Sequence, residues 1–198
     1  MSVDKIIMNK VNRIKRGVVF FTEDFRGESS LEAVRIAFHR LAKSGKVTRV
    51  ANGIYVRPVI SELIGKVMPS AEEVAVAIAK RDRAKIVPSG VLALNLLGLS
   101  TQVPLNAVYL TDGSPRNIKV GNRTIKFKRV SPKKLSSKGE LSGMAILALQ
   151  ALGKENFDKE REEHLVKLLR KEDVSKLKHD IKLAPDWIAR VLKKALEE

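Results

Sequence analysis

The sequence predicts an α+β fold, in which an N-terminal winged helix-turn-helix is followed by a mixed α/β domain with a helical C-terminal segment. One observation is a capped amphipathic helix followed by two β-branched runs around an Asn-Gly turn. The other observation is a change of pattern from Pro69 onward, after which helices, strands and more helices follow in order. Apolar residues make up 44% of the 198 residues, enough for a packed core. We expect two domains, residues 1–66 and 67–198.

The first predicted elements are a helix, an extended segment and a single helical turn. Apolar residues recur at helical spacing from Val3 to Ile14, and we expect Gly17 to end this helix. The apolar run 18–21 predicts a buried extended segment, and residues 22–25 predict one turn of helix.

A second helix is predicted between a pair of serines and a glycine. Ser29 and Ser30 are good N-cap residues, and the helix that they open runs to Ser44, just before Gly45. Its apolar positions are three and four residues apart and form a single face: Leu31, Val34, Phe38 and Leu41.

Two β-branched runs, residues 46–50 and 54–57, flank an Asn-Gly pair at 52–53 and predict a tight hairpin, the wing.

The second predicted helix has a length that fits the major groove of DNA, where its polar face would lie against the base edges. A hairpin beside it reaches along the backbone or into the minor groove. Tyr55 either stacks or covers the hairpin, and we favour a packing role; we expect Arg57 to be available on the wing.

The predicted DNA-binding residues lie at the start of the second helix, on its polar face and in the wing. Free backbone N–H groups at a helix N-terminus favour a phosphate. Ile36 is an apolar residue on the face that we expect to be exposed to solvent. We therefore expect it either to contact a thymine methyl group or to pack against the second domain. His39 is either a partly buried surface histidine or a phosphate contact. The full set is Ser29, Ser30, Arg35, Ile36, His39, Arg40, Lys43, Arg49 and Asn52.

The second domain is predicted from caps, breaks and β-type runs. Ser70 and Glu73 form a capping box before one helix, and a second, shorter helix follows the Pro-Ser-Gly sequence at 88–90. Strands are then expected over residues 107–111, 117–120 and 123–130. Three or four helices follow, over residues 141–152, 158–170, 173–182 and 185–196.

Positive charge is concentrated in the first three-quarters of the chain. The net charge is +16, yet residues 154–198 hold 12 Lys and Arg against 11 Asp and Glu. Residues 1–153 hold 26 against 11. Regional positive charge is typical of a surface for a polyanion. The excess in residues 70–153 predicts that the second domain also touches nucleic acid, either DNA or RNA.

No catalytic, metal or cofactor site is predicted, so we expect a protein that is not an enzyme. The chain has no Cys, which excludes disulfides, Cys-ligated zinc and thiol nucleophiles. Its three His form no i,i+4 pair, and Asp112 is a turn residue more readily than a lone catalytic acid. No apolar run approaches the roughly 20 residues of a membrane span, and none suits a signal peptide. We expect a soluble, cytoplasmic protein that binds no membrane.

Several short motifs together resemble the AbiEi-type antitoxins of type IV toxin–antitoxin systems, in a short branch of that family. The resemblance covers about residues 5 to 155, and the last 45 residues carry none of its motifs. The motifs are Arg-Leu-Ala-Lys-Ser-Gly-Lys-Val-Thr-Arg at 40–49, Gly-Ile-Tyr-Val-Arg-Pro at 53–58, Pro-Ser-Gly at 88–90, Leu-Gly-Leu-Ser-Thr-Gln-Val-Pro at 97–104 and Tyr-Leu-Thr-Asp-Gly at 109–113.

This resemblance implies a transcriptional autorepressor and antitoxin that acts in abortive infection, a phage-defence response. The family's winged helix binds inverted repeats in the double-stranded DNA of its own promoter. Its second domain counteracts a nucleotidyltransferase-like toxin functionally, without a stable complex. The family's DNA-contact pattern falls on the recognition helix and wing, and no catalytic motif is implied.

Three other interpretations stay open from the residues alone. One is a winged-helix transcription regulator with a ligand-sensing second domain. Another is a basic RNA-binding or ribosome-associated protein, which a pI near 10.2 also suits. The third is a nuclease or transferase with an unrecognised site.

Overall fold

The computed structural model describes residues 2–63 and 65–197, which form eight α-helices and nine β-strands in three small sheets. The fold is mixed α/β, of the α+β type that the sequence predicts. The chain divides into two compact units. The first holds the residues up to Arg81 together with Ile118–Thr124, and the second holds Asp82–Asn117 together with the residues from Ile125 onward.

The first unit contains the winged helix. Strand β3 lies between β1 and β2 and is antiparallel to both, so the first strand closes a three-stranded sheet with the hairpin. Helix, short helical turn, helix and hairpin follow in the predicted order. The elements are α1 (Val3–Val11), β1 (Val19–Phe21), a 3-10 turn (Thr22–Phe25), α2 (Leu31–Lys43), β2 (Thr48–Ala51) and β3 (Ile54–Val56).

An aromatic cluster joins α2 to the sheet. Phe38 is fully buried, and its ring centroid lies 4.8 Å from that of Tyr55 on β3 and 4.9 Å from that of Phe25. Phe20 of β1 closes the cluster, 5.9 Å from Phe38. Aromatic pairs of this kind contribute about 0.5–1.5 kcal/mol beyond burial of their area. The packing role predicted for Tyr55 is confirmed, and it fixes the wing against α2.

Three expectations for the first unit were wrong in detail. Helix α1 ends at Val11 and does not run on to Gly17. Val18, predicted to be buried, precedes β1 and is 48% exposed. Leu31 is 47% exposed because it occupies the first turn of α2, beyond the core, while Ala37 completes the buried face.

The first unit also holds a second hairpin and a third helix. The hairpin, β4 with β5, forms a two-stranded antiparallel sheet that the sequence did not reveal, since each strand has three residues. The predicted capping box is confirmed: the Ser70 N–H donates to Glu73 (2.7 Å) and the Glu73 N–H donates to Ser70 (3.1 Å). Up to Arg81 this helix belongs to the first unit, whereas our boundary placed residues 67–81 in the second domain. The elements are β4 (Val59–Ser61), β5 (Gly65–Val67) and α3 (Ala71–Asp82).

A four-stranded sheet with the order β6-β7-β9-β8 follows in the chain. Strand β6 was not predicted; it is antiparallel to β7, and its edge position accommodates Pro88, which has no N–H for a further ladder. The strands are β6 (Ile86–Pro88), β7 (Asn106–Thr111), β8 (Arg116–Val120) and β9 (Arg123–Arg129).

Five helices supply the apolar core of the second unit, and the four predicted after residue 140 are all present. Leu149, Leu165 and Ile188 are fully buried and come from three of them. None of the helices in residues 2–63 and 65–197 is both long and apolar enough to cross a membrane. The helices are α4 (Gly90–Leu96), α5 (Glu140–Leu152), α6 (Lys159–Leu169), α7 (Val174–Ile181) and α8 (Asp186–Lys194).

A buried carboxylate from α7 holds the start of α5. Asp180 is fully buried and accepts hydrogen bonds from the Lys138 and Gly139 N–H groups (2.9 Å each) and from the Ser142 hydroxyl (2.7 Å). His179 Nδ1 donates to the same carboxylate at 2.8 Å. Burial raises the pKa of Asp180, but these hydrogen bonds outweigh burial and hold the pKa below its ordinary value.

Candidate nucleic-acid interface

The start of helix α2 is fixed by a serine cap. The Ser30 hydroxyl oxygen accepts a hydrogen bond from the Ala33 N–H at 3.2 Å, so Ser30 is the N-cap and Ser29 lies one residue outside the helix. The capping oxygen keeps its own O–H proton to donate outward. Both predicted serines therefore lie at the helix N-terminus, where backbone N–H groups favour an anion.

The outward face of α2 is rich in cations and has one apolar residue. Its opposite face is buried through Val34, Ala37, Phe38 and Leu41. The residues predicted to contact DNA are exposed on the outward face, at positions that helical spacing places in neighbouring rows. They are Arg35, Ile36, His39, Arg40 and Lys43.

Ile36 and Arg40 are the most informative members of this face. Ile36 is 46% exposed within its row of polar neighbours. The Arg40 side chain is 68% exposed, and its Nη1 lies 3.8 Å from the Asp4 carboxylate of α1. An exposed ion pair of this length contributes about 0–1 kcal/mol, so a DNA phosphate can replace Asp4 at little cost.

The wing brings Arg49 and Asn52 together. Arg49 Nη2 donates to Asn52 Oδ1 at 3.0 Å, and both side chains are exposed. The turn is completed by Gly53 at φ +70, a conformation that glycine adopts without the steric cost of a Cβ. This hydrogen bond orients the Arg49 guanidinium, which keeps further N–H donors for a ligand.

Arg57 does not belong to the wing surface, contrary to our expectation. Its Nη1 donates to the carbonyl oxygens of Asn12 (2.8 Å) and Ile14 (2.7 Å), just beyond α1. A cation near a helix C-terminus stabilises the carbonyl end of that helix. Arg57 therefore ties β3 to α1 and is a structural residue.

A second cationic surface lies in the second unit. Residues 125–138 hold six Lys and Arg and no acid, and five of these six side chains are exposed. They run from strand β9 into a 3-10 turn, Pro132–Leu135, and the loop before α5. The exposed cations are Lys128, Arg129, Lys133, Lys134 and Lys138. Lys85 supports the loop, because its ammonium donates to the carbonyl oxygens of Leu135 and Ser137.

The polar groups considered for catalysis have structural partners. The Asp112 carboxylate accepts a hydrogen bond from the Lys85 N–H at 2.8 Å, which joins the residues before β6 to the end of β7. His164 Nε2 lies 2.9 Å from the Leu97 carbonyl oxygen. Within residues 2–63 and 65–197, no three His, Asp or Glu side chains are placed to hold a metal ion together.

Comparison with known proteins assigns the chain to a family. Residues 6–177 match the model of a family of unknown function, DUF6088. The match spans most of the chain, so the protein belongs to this family. No curated protein matches the chain.

Proposed function

We propose that this protein binds double-stranded DNA through its winged helix and represses transcription from its own promoter. The supporting observation is the exposed face of α2, where cations surround Ile36 and the Phe38–Tyr55 stack fixes the wing alongside. On this proposal α2 enters the major groove and the wing lies over the adjacent backbone or minor groove.

The residues of the interface divide into two roles. Arg40 and Lys43 are long cations that reach phosphate oxygens or guanine edges, and Arg49 contacts the backbone from the wing. Ile36 has no polar atom in its side chain, so it discriminates among base pairs only by contact with a thymine methyl. Removing Ile36 should therefore reduce sequence preference, whereas removing Arg49 should weaken binding to all sequences.

The cationic surface of the second unit supplies a further nucleic-acid contact in this proposal. Its support is local charge, since residues 125–138 lack any acid that would neutralise five exposed cations. Contact with phosphates flanking the site bound by α2 would add affinity without sequence information.

The antitoxin role is the part of the proposal that rests on resemblance. The motifs at residues 40–58 and 88–113 support a partner toxin of the nucleotidyltransferase-like kind, counteracted in the cytoplasm without a stable complex. Expression of the adjacent gene's product with and without this chain tests it. Growth arrest relieved by the full chain is expected; arrest that persists despite stable expression of the chain would contradict the antitoxin role.

The DNA-binding proposal is tested with the duplex that lies upstream of the protein's own gene. We expect a footprint over an inverted repeat, with affinity that falls steeply with salt, since each phosphate contact adds about −0.9 to the slope of log K against log salt. Arg40→Ala and Arg49→Ala should each weaken binding by roughly tenfold. Arg190→Ala removes an exposed arginine from α8 and should leave binding unchanged.

Two results would contradict the proposal. Footprints unaltered by both Arg40→Ala and Arg49→Ala would show that α2 and the wing do not read DNA. Preference for single-stranded or structured RNA over every duplex tested would favour the RNA-binding interpretation.

A further inference from the structure

We infer that two copies of this chain form a symmetric dimer through the β4–β5 hairpin. The apolar tip of each hairpin inserts into an open groove on the first unit of the other copy. This inference concerns a surface distinct from the α2 face and does not depend on DNA binding.

The hairpin tip is the most exposed apolar feature among the described residues. Leu63 at the tip is 95% exposed, and Ile60 on β4 is 74% exposed. A two-stranded sheet buries too little apolar surface to be stable alone in water. An apolar tip on such a sheet is thus a surface that a partner is expected to cover.

An open groove lies between β1 and α3 of the same unit, and we assign it as the acceptor of the tip. Its volume is about 810 Å³, with an apolar floor to which Val18, Phe21 and Val76 contribute. Val18 and Val76 are 48% and 53% exposed, so the floor is open to solvent in a single copy. Leucine and isoleucine side chains entering there would be removed from water together with these valines.

The charges at the two sites are complementary. Glu62 stands beside Leu63 at the hairpin tip, and both are exposed. The groove is lined by three cations, Arg16, Lys80 and Arg81, and by two acids, Asp24 and Glu73, so its lining has an excess of one positive charge. Lys80 is exposed, and the Arg81 guanidinium stacks on Phe21 at 4.3 Å. When the tip lies in the groove, the Glu62 carboxylate meets the Lys80 ammonium.

The hairpin and the groove are contiguous, which is what a two-fold exchange requires. Arg16 lines the groove and donates to the Pro58 carbonyl oxygen, at the base of β4, at 3.0 Å. Gly17 also lines the groove, and a Cβ built there would lie 3.2 Å from Val59 Cγ2. Each chain therefore carries both halves of one self-complementary surface, so reciprocal insertion closes the assembly at two copies.

Local charge favours a second copy as the occupant. The chain carries a net charge of +16, which opposes association through most of its surface. Residues 58–81, by contrast, which include the hairpin and the part of α3 that lines the groove, hold three acids against three Lys and Arg and so carry no net charge. This is the part of the first unit where two such cationic chains can approach each other.

The test begins with the mass of the full chain in solution, measured by sedimentation over a wide range of concentrations. We expect a monomer–dimer equilibrium. Leu63→Glu should raise the dimer dissociation constant roughly 100-fold or more, because both copies of the contact are lost. Leu105→Glu, at a residue 74% exposed in the second unit, is the matched control and should leave the equilibrium unchanged.

Two further experiments test the dimer by other substitutions, in case Leu63→Glu affects folding. Glu62→Lys and Lys80→Glu should each weaken the dimer, and combining them should restore it. The chain has no Cys, so mixing Leu63→Cys with Val76→Cys chains allows a specific thiol cross-link between tip and groove. A monomer at every concentration, a dimer indifferent to Leu63→Glu, or cross-linking of Leu63→Cys only to itself would overturn the inference.

Discussion

The outward face of α2 and the helices α6 to α8 both carry many charges, but ion pairs are more numerous among the latter. Lys194 pairs with Glu162 at 2.7 Å, Lys159 with Glu163 at 3.9 Å, and Arg161 with Asp158. On α2, Arg40 has a partner at 3.8 Å, whereas Arg35 and Lys43 have no ion pair within residues 2–63 and 65–197. Where cations are paired with acids, their charges cancel and the surface has little net potential. Where neighbouring cations are unpaired, the surface keeps a positive potential that attracts a polyanion.

The largest expected difference between the two regions is in how core substitutions affect stability and DNA binding. Phe38→Ala removes the fully buried ring that joins α2 to the wing and should destabilise the first unit by about 3–5 kcal/mol. DNA binding should be lost with it. Leu165→Ala removes a fully buried residue of α6, should cost about 2–5 kcal/mol in the second unit, and should leave binding by the winged helix in place.

Hydrogen exchange measures both effects, because it reports protection in each unit separately. If Phe38→Ala loses protection in α2 but keeps its DNA affinity, the aromatic cluster does not support the DNA interface. Equal loss of DNA affinity in both variants would show that the two regions do not divide their roles as proposed.

A smaller effect is expected at the carboxylate that holds α5. Asp180→Asn replaces a charged acceptor of several hydrogen bonds and should reduce the stability of the second unit by about 1.5–3 kcal/mol. The pKa of Asp180 is lowered in the folded state, so its contribution is present above the unfolded pKa of about 4 and is lost as pH falls through the folded value. The gap between wild type and variant should therefore close in acid.

Denaturant unfolding at a series of pH values measures that gap. A difference between wild type and Asp180→Asn that stays constant down to strongly acidic pH would exclude an ionised carboxylate as the cause. Asp186→Asn, at an exposed residue of α8, is the control and should change stability little at any pH.

The positions of α2, the wing and the basic region were largely predictable from the sequence, because they depend on residues close together in the chain. Capping serines, helical spacing and an Asn-Gly turn located α2 and the wing, and charge counts located the basic region. The β4–β5 hairpin and strand β6 were not predictable from the sequence. Each strand has three residues, which are too few to show the alternation of apolar and polar residues by which a strand is recognised. The partners of Arg57 were equally hidden, because they depend on contacts 43 and 45 residues away in the chain.

The second cationic surface gives a test of intermediate size. Lys133→Ala combined with Lys134→Ala removes two exposed cations and should reduce the salt slope of DNA binding by about 1.8, if each contacts one phosphate. Lys193→Ala combined with Lys194→Ala removes two exposed cations from α8, in the segment 154–198 where 12 Lys and Arg face 11 Asp and Glu, and should leave the slope unchanged. Equal slopes for all three proteins would confine DNA contact to the first unit.

The smallest expected effect tests Asp4, the acid that pairs with Arg40 of α2. Asp4 lies 3.8 Å from Arg40 and competes with any phosphate for that guanidinium. Asp4→Asn should raise affinity for the upstream duplex about two- to threefold, since it removes an exposed pair worth at most about 1 kcal/mol and a repulsion toward DNA. Asp186→Asn makes the same charge change on α8 and should have no such effect. Anisotropy titrations at low salt, where screening is weakest, resolve a difference of this size. Because Asp4 acts through Arg40, the gain should disappear in the Arg40→Ala background; a gain that survives there would mean that Asp4 acts only through the general field of the unit.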